Sequence, residues 1–343
     1  MERAAARYAR QVASPLVGEA GQARLAEATA VVVGVGATGG VVASILARAG
    51  VGRLRVIDRD IVETTNLQRQ VLFTDEDARE AVPKAKAAER ALRAANPEIE
   101  VEGVIADLVP RNAERLLGGA TCVFDGTDNF ESRLLINDAS IALGFPWVYS
   151  GVIAAHGHVL PILPGRAACF RCYLPEPPPP GAIETCDTAG VLAPAVHAVG
   201  GFAAMEGLRI LAGEPATGEA QLLLIDLWAR DLRRVTVRRD PACRACALRH
   251  LDFLRGQTLP RAAALCGREA VQIRAPEGVT LDLDAIADRA GGADGVTVVR
   301  GAYGLRLQAG GLDATIFSDG RAIVKGTGDL GRARAFYARF VGS

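Results

Sequence analysis

An α/β fold, with a largely parallel sheet and helices on both faces, is what this sequence predicts, and two observations predict it. Short apolar runs alternate with segments of helical period through the first 150 residues or so, the order that builds strand–helix–strand crossovers. The first apolar run, Val31-Val32-Val33, also breaks into the glycine turn Gly34-Val35-Gly36-Ala37-Thr38-Gly39-Gly40, which carries a strand tightly into a helix. In order, the pattern gives a strand at 30–34, a helix at 38–49 and a strand at 54–58. Pro83 opens the next helix, and Asn96-Pro97 closes it. A strand at 99–105, a short helix at 112–117, a strand at 121–125 and a helix at 130–143 follow.

Residues 147–163 read as extended β with glycine breaks, and the run Pro175-Glu176-Pro177-Pro178-Pro179-Pro180-Gly181 reads as a surface loop. A long helix at 191–211 and strands at 222–227 and 232–237 complete a first domain, placed at 1–250. Beyond His250 the character changes: residues 255–261 look like a linker into a small α/β domain, taken as 251–343. Its elements are a helix at 284–289, strands at 296–300 and 305–308, and a hairpin pairing 314–317 with 322–325 around Asp319-Gly320. A final helix holds Ala335, Tyr337 and Phe340.

Of the 343 residues, 50% are hydrophobic, and 39 basic side chains balance 39 acidic ones. No global field favours nucleic acid or an anionic membrane. The start, Met1-Glu2-Arg3-Ala4, lacks the order of a secretory signal, and Pro194, His197, Glu206 and Arg209 interrupt the apolar stretch at 191–211. A cytoplasmic protein is expected. Nearly all basic residues are arginine, so two of the three lysines, Lys84 and Lys86 just after Pro83, stand out as point charges suited to a phosphate.

The glycine turn aims backbone N–H groups and a positive helix end at a phosphate site. Asp58 closes the next strand, 58 − 39 = 19 residues past Gly39, where a carboxylate accepts hydrogen bonds from ribose hydroxyls. Asp58, Asn66, Arg69 and the segment Asp125-Gly126-Thr127-Asp128-Asn129 all follow strand ends, so they converge on one crevice. The turn and Asp58 alone fit NAD as well as ATP. Arg69, Lys84 and Asp128 add the cations and the metal-holding carboxylate that a reaction at phosphate needs. Arg10, ahead of the first strand, reaches such a site only from a folded-back arm or a neighbouring subunit.

Four of the seven cysteines form two C-x-x-C knuckles, Cys169/Cys172 and Cys243/Cys246, the spacing of a closed, structural zinc site with four thiolate ligands. A redox dithiol and disulfides are the competing readings. Cys186, between the proline run and a helix, is either a buried small residue or a nucleophile carried on a loop; Cys122 and Cys266 read as packing residues.

In this order the motifs resemble the MoeB/ThiF family, related to ubiquitin-activating enzymes. They are Arg7-Tyr8-x-Arg10-Gln11, the glycine turn, Asp58-x-Asp60, Asn66-Leu67-Gln68-Arg69-Gln70, Pro83-Lys84, Thr127-Asp128-Asn129, the two knuckles and Thr185-Cys186. The resemblance implies a Rossmann-like, zinc-stapled homodimer. With MgATP it would adenylate the C-terminal glycine carboxylate of a small ubiquitin-like sulfur carrier protein ending in Gly-Gly. Pyrophosphate would leave, and sulfur from a donor such as a cysteine desulfurase or rhodanese would displace AMP. Asp58 would then hold the ribose; Asn66, Arg69 and Lys84 the triphosphate; and Asp128 the Mg²⁺. Gly34, Gly36, Ala37, Gly39, Asp60, Gln70 and Asn129 complete the nucleotide-binding set. Arg10 would enter the opposite subunit's site, the four knuckle cysteines would bind Zn²⁺, and Cys186 would form a covalent link with the carrier.

Ala37 stands where the family's turn usually has a fourth glycine, and the last ninety or so residues are not a rhodanese domain. The stretch 314–341 faintly resembles a half-repeat of the TATA-binding-protein fold, with no strongly basic character to match. Two alternatives stay open at this stage: an NAD-dependent oxidoreductase and a non-catalytic, carrier-binding scaffold.

Overall fold

A computed structural model describes residues 2–177, 189–214, 219–256, 262–264, 269–274 and 279–342. The chain divides into two compact units, 1–257 and 258–343.

The first unit is built on eight strands: β1 (Thr29–Val33), β2 (Arg53–Asp58), β3 (Glu100–Ile105), β4 (Cys122–Asp125), β5 (Trp147–Ile153), β6 (His156–Ile162), β7 (Ala220–Asp226) and β8 (Asp231–Val237). They form one sheet in the order β3-β2-β1-β4-β5-β6-β7-β8. The sheet is mixed and Rossmann-like, which corrects the largely parallel expectation. Pairings from β3 across to β5 are parallel, and those from β5 to β8 are antiparallel. The reason is chain length: Ala154 and Ala155 alone join β5 to β6, far too few for the crossover that a parallel neighbour requires.

Helices cover both faces, as alternation along β1 dictates. Val32 points with Val56 and Phe124 into the core beneath α3 (Ala37–Ala49) and the long crossover helix, Ala193–Leu211. Val31 and Val33 point the other way, with Leu116, Leu134 and Trp147. Two N-terminal helices that the apolar pattern does not reveal, α1 (Glu2–Val12) and α2 (Gly18–Glu27), pack around Gly50 and Gly52. A Cβ on Gly50, whose φ is +81°, would lie 2.5 Å from the Tyr8 ring. Among the described residues no helix is long and apolar enough to cross a membrane.

The second unit is a six-stranded antiparallel sheet. It carries two helices, Leu283–Gly291 and Leu330–Phe340, over a core that includes Leu305, Leu307, Val324 and Phe336. The hairpin turns at Asp319-Gly320, where Asp319 accepts the Arg321 amide and Gly320 takes φ +78°. The strand at Ala270–Ile273 lies within a stretch that sequence reasoning left unassigned.

Two glycines on the crossover helix test the tightness of its packing. A Cβ on Gly207 would sit 2.0 Å from the Phe124 ring, whereas one on Gly201 meets nothing within 4 Å. Gly207→Ala is therefore expected to destabilise the protein by about 1–3 kcal/mol. Gly201→Ala should stabilise it by about 0.5–1 kcal/mol, as alanine replacing glycine within a helix does. Thermal unfolding followed by circular dichroism checks both signs.

Candidate active site

Three glycines set the crevice at the carboxyl ends of β1, β2 and β4. Gly34 ends β1 at φ +79°, a conformation only glycine takes without strain. A Cβ on Gly39 would lie 1.8 Å from the Gly34 carbonyl oxygen, and one on Gly126 would lie 2.2 Å from the same atom and 2.7 Å from Gly39 Cα. The β1–α3 and β4 turns thus meet backbone to backbone. Gly36 caps α3 without a side-chain hydrogen bond, which leaves first-turn amides for an anion. Gln70 lies beside Gly36, its Nε2 3.5 Å from where a Cβ would stand, and its Oε1 is buried without a hydrogen-bond partner among the described residues. Ala37 is the first residue of α3.

Asp58 ties this turn to β2. Its Oδ2 accepts the Val35 amide and its Oδ1 the Asp60 amide, both at 2.8 Å. Burial pushes its carboxyl above the usual range, and the nearby Lys84 ammonium pulls against that shift. Lys84, 3% exposed, opens the helix Lys84–Ala95 and sets its Nζ 3.4 Å from Asp60. Arg59 reaches Asp107 at 3.1 Å; burial opposes its charge, but Asp107, Asp60, Asp128 and Asp58 together raise its pKa. Asn66 is buried and folds back to accept the Glu63 amide at 3.1 Å, while Arg69 donates to the Thr65 carbonyl at 2.8 Å.

The turn after β4 is pinned from several sides. Asp125 accepts the Thr127 amide at 2.9 Å, the Thr127 hydroxyl at 2.6 Å and Arg133 Nε at 3.1 Å. Asn129 caps the following helix, α7 (Phe130–Leu143, after short helices at Asp75–Arg79, Lys84–Ala95 and Pro110–Leu117), by accepting the Ser132 amide at 2.9 Å. Asp128 is exposed and makes no hydrogen bond or ion pair among the described residues. Its exposed oxygens suit a hard divalent cation, with the Arg59 and Arg133 guanidinium groups in electrostatic reach but not bonded to it.

Of the residues expected from sequence, Asp58, Asp60 and Lys84 are thus in mutual contact or electrostatic reach, and Asp128 acts on Arg59. Asn66, Arg69 and Gln70 line the loop that returns to the glycine turn. Arg10 is not joined to them. On α1 its neighbours are anchored: Arg7 pairs with Glu98 at 3.5 Å, Tyr8 accepts from Asn96 at 2.8 Å, and Gln11 donates to the Ala49 carbonyl at 2.9 Å. Arg10 itself is exposed and unbonded among the described residues. Cys186 and Cys266 lie outside the described residues. The sequence places Asp125 in the segment that converges on the crevice but assigns no role to Arg59, Asp107 or Arg133. The legible signal was an acid, Asp125, ending a fully buried strand. Two grooves of about 840 and 1270 Å³ lie away from this crevice. The first is at the amino ends of β1 to β3, beside Thr29, Arg53 and Glu100, and the second lies beside Phe202 and Met205.

The cysteine knuckles come together as the spacing predicts. The four Sγ atoms lie within 4.8 Å of one another, with Cys169–Cys172 at 3.9 Å, Cys169–Cys243 at 3.6 Å and Cys172–Cys246 at 3.5 Å. A tetrahedron of sulfurs about 2.3 Å from zinc has edges of about 3.8 Å, so the cluster has the size of a zinc site with four sulfur ligands. It is far too open for disulfides, whose sulfurs stand about 2.05 Å apart. Cys122 is buried in β4 and packs in the core.

Residues 8–245 match the model of the ThiF family, a span that opens at the Tyr8 anchor and closes within the second knuckle. This chain is a member of the ThiF family. It is 39% identical over 339 residues to the sulfur carrier protein ThiS adenylyltransferase of Bacillus subtilis, covering 98% of this chain and 99% of that one. Likeness to that ThiF-family relative therefore runs through both units. The sulfur carrier protein adenylyltransferase of Thermus thermophilus is 43% identical over 245 residues, 70% of this chain and 90% of its own. Among solved structures, MccB of E. coli with succinimide superposes with a TM-score of 0.61 at 22% identity, over 70% of this chain and 74% of that one, a likeness of ThiF-type fold.

Cys243→Ser is expected to lower zinc, measured by elemental analysis of purified protein, from about one per chain to near none. Cys122→Ser should leave it unchanged.

Proposed function

We propose that this chain adenylates the C-terminal glycine carboxylate of a small ubiquitin-like sulfur carrier protein, using ATP and releasing pyrophosphate. One observation carries the reading. An exposed, unbonded carboxylate, Asp128, and a buried ammonium, Lys84, flank a glycine turn whose ribose-side acid is already fixed by two backbone amides. A nicotinamide-dependent oxidoreductase uses the turn and the acid but has no need of the buried lysine or the free aspartate. A scaffold needs neither. The kinship with sulfur-carrier adenylyltransferases along nearly the whole chain supports the same choice of substrate.

In this reading Asp58 receives the ribose hydroxyls, and the first-turn amides of α3 receive phosphate oxygens. Lys84, held in place by Asp60, and Arg69 neutralise the charge that grows on the leaving pyrophosphate. Asn66 contributes neutral hydrogen bonds to the triphosphate, and the buried Gln70 Oε1, which has no partner among the described residues, can accept one from a donor of the nucleotide. Mg²⁺, held by Asp128, supplies further charge neutralisation when bound. A carboxylate oxygen of the carrier's terminal glycine attacks the α-phosphorus in line. The bond from that phosphorus to the bridging oxygen breaks, leaving an acyl adenylate and pyrophosphate. Proximity and preorganised charge supply most of the acceleration.

Arg10 completes the site from a second copy of the chain in a homodimer, which accounts for a firmly anchored helix whose exposed Arg10 guanidinium is unbonded among the described residues. Residues 1–250 form the adenylation domain, and Zn²⁺ in the four-cysteine site staples it without chemistry. Residues 251–343 form a small accessory domain. A cysteine desulfurase or rhodanese-type donor then supplies sulfur, all in the cytoplasm.

Given a Gly-Gly-ended carrier, the purified protein should exchange labelled pyrophosphate into ATP, and Asp128→Ala should slow this by roughly 10²-fold. No exchange with any such carrier, or an unimpaired Asp128→Ala variant, contradicts the reading. Arg10→Ala and Asp128→Ala chains, each strongly impaired alone, should regain exchange when mixed and allowed to reassociate, because one site of the mixed dimer keeps both residues. Failure to complement would place Arg10 outside the partner's site.

A further inference from the structure

Arg133 lies on the first turn of α7 and is only 8% exposed, with its guanidinium 5.2 Å from the ring centres of both Phe130 and Tyr149. Stripping a guanidinium of water is costly unless its donors are well used, so its partners identify its purpose. Nε donates to Asp125 Oδ2 at 3.1 Å, and Nη2 donates to the Thr127 carbonyl at 2.8 Å. Asp125 in turn accepts both the amide and the hydroxyl of Thr127, and Ser150 Oγ donates to the Asp125 carbonyl at 2.7 Å. Thr127 is thereby gripped at its nitrogen, its hydroxyl and its carbonyl oxygen. Asn129, two residues on, is fixed as the cap of α7. Among the described residues Asp128 makes no hydrogen bond or ion pair, standing between two immobilised neighbours.

We propose that Arg133, acting with Asp125, is the positioning residue for Asp128. Its two-pronged grip on the turn presents the Asp128 carboxylate already oriented toward the divalent cation that accompanies ATP. The inference rests on the adenylation reading, and it assigns Arg133 no contact with substrate. A lysine keeps the charge but offers a point donor, so it cannot span Asp125 and the Thr127 carbonyl as the planar fork does.

The test is calorimetric titration of the full-length protein with ATP, with and without Mg²⁺ at constant ionic strength, a readout independent of turnover. Wild type is expected to bind ATP more tightly with Mg²⁺ than without. In Arg133→Lys that gain should shrink about 10-fold, the cost typical of removing a group that orients a metal ligand, while metal-free affinity stays within about 2-fold. Thr127→Val, which deletes the hydroxyl's bonds to Asp125 and to the Asn129 carbonyl, should lose about 3-fold of the gain, and it decides the matter if Arg133→Lys does not fold. An unchanged gain in the folded variants, or equal losses with and without Mg²⁺, overturns the proposal. A wild type that binds ATP with no gain from Mg²⁺ overturns this inference alone. One that fails to bind ATP overturns the adenylation reading together with it.

Discussion

The contact on which the crevice depends is made by backbones with no side chains between them. Gly34, Gly39 and Gly126 bring the turn after β1 and the turn after β4 so close that a single methyl on either of the last two would strike the Gly34 carbonyl oxygen at 2.2 Å or less. Protein interiors resist such overlap stiffly, so the three positions stand or fall together. Their closeness places the open first turn of α3, which favours anions, next to the turn that carries Asp128, which favours cations. The arrangement follows from sheet order: β1 lies between β2 and β4, so turns from three neighbouring strands open at one end.

Charge in the crevice is held in paired form. Asp58 spends both carboxylate oxygens on backbone amides, Lys84 sits beside Asp60, and Arg59 beside Asp107. Burial lifts the Asp58 and Asp125 carboxyls above their usual range against the pull of Lys84 and Arg133, while Asp107 and Asp60 favour the charged form of Arg59. Arg133 and Asp125 form a further buried pair at 3.1 Å. Lys84, almost fully buried, pairs with Asp60 at 3.4 Å, a longer separation than a tight ion-pair hydrogen bond.

The cysteine cluster works at a distance from this chemistry. Cys169 and Cys243 are 74 positions apart, and the cluster closes the chain that leaves β6 and β8 against the face formed by Phe170, Trp147 and α7. Both C-x-x-C pairs carry an arginine, Arg171 and Arg244, and both arginines reach Asp252, at 3.3 and 3.1 Å. Asp252 begins a short helix whose Phe253 amide is accepted by Asp138 on α7, the helix whose cap borders Asp128. The staple and the crevice therefore share a supporting helix.

Sequence alone determined the strand–helix alternation from β1 to β4, the glycine turn with its acid and the four-cysteine constellation. Each of these is written in local spacing: an apolar run, a turn that only glycine tolerates, a pair of thiols three residues apart. The hairpin of the second unit was legible for the same reason. Tertiary structure alone decided that β5 to β8 run antiparallel, that α1 and α2 exist, and that Arg59 faces Asp107 and Arg133 faces Asp125. Those outcomes depend on which distant residues meet. Helix α1 is strongly polar and gains its place from Tyr8 and Gln11 reaching Asn96 and Ala49, partners that no local pattern announces. Strand direction is set by how many residues join two strands, and the partner of a buried charge by which strand ends the sheet brings side by side.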